Sequence, residues 1–532
     1  MKSHRPLHLA AMGSTAVFFL LGAIGCSDEE PAPSKGGGGA PALSGALTYE
    51  RVPHRSAGEG LDYGAITALP IRGARVELLA RDGSVLAETV SGDVGRYVFA
   101  LEKPVRARVR VYSETVEPPI VVEDNTEGDA LYALESAEIE IDGAKVQDLA
   151  ATTGWDGQAY SGVRAAAPFA VLDAAYTASR RFSAEVSPPP AFPPLNINWS
   201  AQNRPEDGSV LAGQIGTSHW DDLELYILGM DGVDTDEFDT HVIVHEWGHY
   251  FESRVSRADS PGGPHGYGDV LDPRVAFSEG WGNALSAMIL DPDTVYSDAL
   301  GPGQANGFSW DLELNDTSPS AVPGWFSESS VETILFDLYD AAAEPHDQLA
   351  LGLGPIYEVM SGDMRETPAL TTIFPFIAGL KARRPEDAAA IDALVTHHRA
   401  DSALGVDVIT DAWGTGETHG GNIAGSLPIY VDGAKGASIT LSLSGGFDYN
   451  FLGQNRYVRV TGDGSPLTVS STSAEDVDLY AHASGEVVAV ANTLSGDETV
   501  TFPTQAGQVY VINVQGYALH PGDYTATLEI SP

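Results

Sequence analysis

The rhythm of apolar and polar positions changes along the 532-residue chain. From about 44 to 142 the residues alternate in short runs. Ala74-Arg75-Val76-Glu77-Leu78 is followed by the turn signal Arg81-Asp82-Gly83-Ser84, then by Gly95-Arg96-Tyr97-Val98-Phe99. A period of two between Gly and Asp punctuation reads as half-buried strands and predicts a β-sandwich. From about 148 the pattern mixes. Residues 168–182 have helical spacing, the proline-rich segment 187–194 breaks it, and Leu195-Asn196-Ile197-Asn198-Trp199 reads as a strand. Phe238, Val242, Ile243 and Val244, continued by Phe251 and Val255, predict a helix, with Asp236 and Asp239 as cap candidates. A second helix is expected over 278–290, with Trp281, Leu285, Met288 and Ile289 apolar. Val331, Ile334, Leu335 and Leu338 recur at i, i+3, i+4 and i+7, and helices are expected over 329–342, 355–360, 373–383 and 385–398. Alternation returns near the end, in 476–480, 498–502, 508–514 and 522–528. The fold class expected is therefore α+β and multidomain: a mixed β/α part and a helical part, flanked by two β-sandwiches.

The N-terminus adds an address. Lys2 and Arg5 precede an apolar run over about 9–24, with the small residues Gly22, Ala23 and Gly25 before Cys26. A basic start, an apolar stretch and small residues read as an export signal. The run contains Gly, Ser and Thr, which argues against a membrane-spanning anchor. Cys26 is the only cysteine, so no intrachain disulfide can form. Its place resembles the lipidation site of bacterial lipoproteins, although Ala23 stands where Leu is usual. That resemblance implies cleavage before Cys26 and lipidation of its thiol, with an outer-membrane, cell-surface, secreted or periplasmic destination. Pro31, Pro33 and Gly36 to Gly39 make 27–44 a flexible tether. The expected divisions are 1–26 signal, 27–44 linker, 45–147 sandwich, 148–425 central unit and 426–532 sandwich. With 74 acidic against 29 basic side chains the net charge is −45, which argues against nucleic-acid binding and suits a solvated extracellular surface.

Chemistry is concentrated in His245-Glu246-Trp247-Gly248-His249. Residues four apart share a helix face, so His245 and His249 can present two imidazoles to one ion, with Glu246 placed to reach a water beside it. Gly248 costs a helix up to about 1 kcal/mol against Ala, which suggests a close neighbour. His241 lies on the same face and is read as a supporting or surface histidine; His265, His397, His398 and His419 are read as solvated. A catalytic zinc takes three protein ligands and water. Glu252 and Val255 occupy the places where a metzincin has Gly and His. Glu279, in Ala276-Phe277-Ser278-Glu279-Gly280-Trp281-Gly282-Asn283, is a candidate third ligand, with a helix-capping role as the alternative. Asp269 and Asp272 are rivals.

The pair HEWGH and EGWGN resembles the gluzincin metallopeptidases of the thermolysin and fungalysin types. The resemblance implies a thermolysin-like central unit and zinc at His245, His249 and Glu279. It also implies Glu246 as general base and hydrolysis of internal peptide bonds in protein or peptide substrates. Asn283 stands where that family has Asp behind a ligating histidine. An edge strand at 222–229 is expected to pair with substrate. His346, or alternatively Tyr339, is expected to stabilise the oxyanion. Structural calcium is a family-level expectation. The first sandwich resembles carboxypeptidase-regulatory or transthyretin-like modules, and the last strongly resembles the bacterial pre-peptidase C-terminal domain. The competing readings are a peptidase-fold surface binding protein without activity, and a zinc exopeptidase.

Overall fold

The structure, a computed structural model, describes residues 40–56, 59–266, 268–313, 322–341, 347–397, 406–423, 425–446 and 449–532. The expected signal and the expected tether up to residue 39, with Cys26, His346 and His398, lie outside the described residues.

The first β region follows its alternation. The strand Ala42–Arg51 buries Leu43, Leu47 and Tyr49 on one face. It pairs antiparallel with Thr67–Pro70 and Arg96–Ala100, and parallel with Ala144–Val146 and Leu149–Ala151. A second, ten-stranded sheet runs in the order His219–Trp220, Leu225–Ile227, Leu195–Trp199, Ile120–Asp124, Val105–Thr115, Ala74–Leu79, Val85–Val90. Three short strands join it off that path. This sheet crosses the division expected at 147/148. Ile120 pairs with Leu195 and Val122 with Ile197 in a parallel ladder. Period-two alternation marks a strand but not its partner. Leu195–Trp199 is buried along most of its length, so it needs a neighbour on each side. One apolar cluster accordingly runs from Leu43 through the central unit to Tyr457 and Val511.

Helix α1 (Ala167–Glu185) lies against Val105–Thr115 and Ile120–Asp124 and brings Phe182 to α2 (Thr240–Arg254). There Phe182 stacks on Phe251, with ring centroids 5.0 Å apart. Helix α3 (Pro273–Leu290) packs between α2 and α4 (Glu328–Tyr339). A Cβ on Gly248 of α2 would stand 3.2 Å from the Gly282 Cα of α3, so two glycines let these helices touch backbone to backbone. That contact is the close neighbour expected beside Gly248. Helix α5 (Leu353–Glu358) runs into a π-helical turn, Val359–Met364, and α6 (Ile373–Arg383) and α7 (Ala388–His397) complete the helical part.

The C-terminal β part has two sheets, of five and four strands among the described residues. They enclose their own core around Leu443, Val469, Leu479, Ile512 and Leu528. It is fastened to the helical part at Asp272, whose carboxylate accepts from the Tyr457 hydroxyl, and at the bridge pairing Leu271 with Phe451. The architecture is thus mixed α/β with sandwich-like β parts at both ends.

Candidate metal centre and its cleft

Two helix starts set the site. Asp239 precedes α2 without capping it through its side chain. Instead its carboxylate meets His54 Nε2 and accepts the Ala299 N–H at 3.3 Å. Helix α3 begins at Pro273, earlier than the expected 278. The Asp272 carboxylate accepts the Arg274 N–H at 3.0 Å, and proline fills the first helical position. Glu279 therefore sits in the second turn, inside the helix, and its capping alternative falls away. Asp272 is occupied by capping and by an ion pair with Arg274 at 2.9 Å, which removes it as a rival ligand. Asp269 is not among the groups that converge on the histidines.

His245 Nε2, His249 Nε2 and Glu279 Oε2 converge. The two nitrogens are 3.1 Å apart, and each lies 3.3 Å from the carboxylate oxygen. A tetrahedral ion with bonds of about 2.0–2.1 Å has ligand–ligand edges of roughly 3.3–3.4 Å. Three donors already spaced along one face of such a tetrahedron fit zinc, with the fourth corner left to the cleft. The far nitrogens are held. His245 Nδ1 lies 2.7 Å from the Asn283 Oδ1, and His249 Nδ1 lies 3.2 Å from Ser278 Oγ, which donates to Glu252 at 2.6 Å. These contacts assign N–H to each Nδ1 and leave each Nε2 lone pair able to bind a cation. Glu246 lies beside the triad, one oxygen accepting the Trp220 N–H at 3.1 Å.

Asn283 is explained by what stands behind it. Its Nδ2 donates to Glu328 at 2.7 Å and to Glu332 at 2.9 Å. An aspartate there would bring a third carboxylate and no donor. The amide still accepts from His245 and also ties α3 to α4.

His265, read from sequence as solvated, belongs to the site. Its Nε2 lies 3.2 Å from Glu279 Oε2, and its Nδ1 lies 3.0 Å from Glu328 Oε2. The loop that carries it is held by Asn450, whose amide donates to the Pro264 carbonyl at 2.6 Å. Tyr339 is elsewhere. Its hydroxyl accepts from Arg181 at 2.6 Å and donates to Asp291 at 3.2 Å. His241 is buried against Ser286 at 2.9 Å, in a supporting position as expected. His419 is not solvated; it lies 3.2 Å from both Asp407 and Glu417.

The edge strand also moves. Asp221 accepts the N–H groups of Leu223 and Glu224 at 2.9 and 2.7 Å, reversing the chain after Trp220. Leu225–Ile227 is consequently flanked on both sides, and His219–Trp220 forms the free edge. That edge, the triad and the His265 loop line one open cleft of about 1410 Å³.

Charge in the site is balanced internally. Burial lowers the His249 imidazole, but the Glu279 carboxylate outweighs it and holds the ring up at about 10. His265 is likewise held at about 9 by Glu279 and Glu328 against the effect of burial. Burial raises Glu279, yet His249 and His265 carry it well below the usual carboxylate range. Burial pushes the Glu252 carboxyl up to about 7.

No protein-family model matches the chain, and no curated protein matches it. Two solved structures are similar to a small part of the chain. The pre-peptidase C-terminal domain of collagenase from Bacillus anthracis is 16% identical over 19% of this chain and 94% of that one, with a TM-score of 0.16. PliG of Salmonella Typhimurium, a periplasmic inhibitor of g-type lysozyme, is 16% identical over 19% of this chain and 98% of that one, with a TM-score of 0.14. At these scores neither likeness bears on the site.

Proposed function

We propose that the chain is a zinc-dependent peptidase of the gluzincin type that cleaves internal peptide bonds. The observation that carries this is the triad of His245, His249 and Glu279, spaced as tetrahedral ligands beside the Glu246 carboxylate. When bound, zinc supplies a Lewis acid that polarises a carbonyl and brings the pKa of water to about 7. Glu246 takes the proton of the attacking water and passes it to the leaving nitrogen. The Trp220 N–H orients its carboxylate for that task. His265, replacing Tyr339 in this role, donates from Nε2 to the substrate oxygen as that oxygen gains charge. Glu328 at 3.0 Å fixes the proton on its Nδ1. The free edge at His219–Trp220 offers main-chain groups to an extended peptide. The export signal and Cys26 support placement outside the cytoplasm, as a lipoprotein or a secreted protein.

The test is casein hydrolysis by the purified chain with and without 1,10-phenanthroline, beside Glu246→Gln. Chelator-sensitive internal cleavage that Glu246→Gln lacks is expected. Full activity in Glu246→Gln would overturn the mechanism. Zinc uptake with no hydrolysis of any protein or peptide would favour the binding-protein reading.

A further inference from the structure

Between α2 and α3 the chain carries His265 into the cleft without helix or strand among the described residues. A Pro- and Gly-rich loop exposed at Pro264 and His265 has little packing of its own with which to aim a ring. Its order comes from the C-terminal β part. Residues 450–452 run beside 270–272. The Asn450 carbonyl accepts the Asp272 N–H at 2.8 Å, the Leu452 N–H reaches the Val270 carbonyl at 3.0 Å, and Phe451 bridges to Leu271. The Asn450 backbone is thus fixed to the residue that caps α3. Its side chain is fully buried and donates to the Pro264 carbonyl at 2.6 Å. A Cβ on Gly263 would stand 2.9 Å from the same amide nitrogen, and Gly263 has a φ of +108°, so only glycine lets the loop close on Asn450. The start of the loop is held as well. Gly485, in the turn between Val477–Ala483 and Glu486–Ala491, lies so close to Arg257 that a Cβ would collide with its Cδ. Arg257 in turn donates to the Thr367 carbonyl at 2.7 Å and pairs with Asp259 at 2.8 Å.

We propose that Asn450 is a positioning residue for His265, and that the C-terminal β part is a component of the cleft rather than an appended module. One asparagine links the first residues of the helix that carries Glu279 to the residue before His265. That link sets His265 Nε2 at 3.2 Å from Glu279 and Nδ1 at 3.0 Å from Glu328. A carbonyl can only accept, so an amide nitrogen must face Pro264, and alanine at 450 removes the link while leaving the backbone pairing with Asp272 in place. Displacing a catalytic group by about 1 Å can cost up to about 100-fold in rate. The kinetic consequence rests on the peptidase reading; the mechanical link does not.

The experiment uses the full chain as wild type, Asn450→Ala, His265→Gln and the double variant. With zinc, kcat and KM are measured on a casein-derived peptide; in EDTA, urea midpoints are measured. Asn450→Ala should lower kcat by about 10- to 100-fold with KM and zinc stoichiometry unchanged. It should lower kcat no further once His265 is replaced, because it acts through that ring. In urea, His265→Gln should lower the midpoint of the wild type and lower that of Asn450→Ala by less, since the loop no longer holds the ring between its carboxylates. If Asn450→Ala does not fold, Gly485→Ala, which displaces Arg257 at the start of the loop, takes its place in the same cycle; its own strain is common to both backgrounds and cancels. Wild-type kcat in Asn450→Ala, or kcat losses that multiply in the double variant, would overturn the proposal. A wild type that binds zinc and cleaves nothing counts against the peptidase reading alone. The urea cycle then decides: a smaller shift in the Asn450→Ala background supports the link, and equal shifts in both backgrounds overturn it.

Discussion

Replacing Gly282 by alanine sets two effects of opposite sign against each other. Alanine in a helix interior is favoured over glycine by about 0.5–1 kcal/mol. The added Cβ, however, would lie 2.8 Å from Cε1 and from Nδ1 of His245, and 2.9 Å from its Cγ. Ordinary carbon contacts are about 3.5–4.0 Å, so the methyl overlaps a ring by more than half an ångström. The ring cannot swing away freely, because Asn283 holds its Nδ1 at 2.7 Å. Overpacking of this kind costs about 1–3 kcal/mol, and a fixed ring places the cost at the upper end. A net loss of about 2 kcal/mol is expected in the metal-free protein, with zinc affinity reduced by about 10- to 100-fold as the ring is displaced. Urea unfolding in EDTA reads the first quantity and competition with a zinc-chelating dye reads the second. Gly143→Ala, in the turn after Ile139–Ile141, is the control: no atom lies within 4 Å of its Cβ and its φ is not positive, so it should gain about 0.4–1 kcal/mol. A Gly282→Ala protein that is stabilised like the control and binds zinc as wild type does would refute the packing argument.

Three further outcomes follow from the same contacts. His265→Gln should lower kcat on a peptide substrate by about 10²–10³-fold while zinc stoichiometry stays unchanged, as measured by steady-state kinetics and metal analysis; wild-type kcat would exclude it as the donor. Asn283→Asp should destabilise the chain by roughly 2–4 kcal/mol at pH 8, because two hydrogen bonds to glutamates are lost and a third carboxylate is added, and the loss should shrink towards pH 4.5; equal unfolding midpoints at pH 8 would count against it. Burial lowers the His482 imidazole to about 4, against an ordinary 6.5. Its folded-state value is thus depressed, so its share of stability is present above pH 6.5 and is lost as pH falls towards 4, up to about 3 kcal/mol. His482→Gln should flatten this slope in urea unfolding between pH 7.5 and 4, and a parallel slope in the variant would dismiss the assignment.

The residues that share a helix face were the most legible in the sequence. HEWGH needs only the i, i+4 rule, and α2 places both rings on one side. The start of α3 was also written there, in Asp272-Pro273, a cap residue followed by proline, yet apolar spacing alone pointed to 278. What periodicity does not encode is partnership. The parallel pairing of Ile120–Asp124 with Leu195–Trp199 joins segments whose patterns are separately readable but do not name each other. His265 illustrates the same limit in the site. It lies in a Pro- and Gly-rich loop without spacing of any kind, and a carboxamide from Asn450, far along the chain, holds that loop.

The most direct test of the proposed chemistry is the zinc dependence of internal cleavage. The chain is stripped with 1,10-phenanthroline, dialysed, and titrated with zinc while casein fragments are followed by mass spectrometry. Hydrolysis should return in proportion to zinc and saturate at one ion per chain. Glu246→Gln should bind the same single ion and cleave nothing. Cleavage by the stripped chain, or by zinc-loaded Glu246→Gln at the wild-type rate, would contradict the assignment of His245, Glu246, His249 and Glu279.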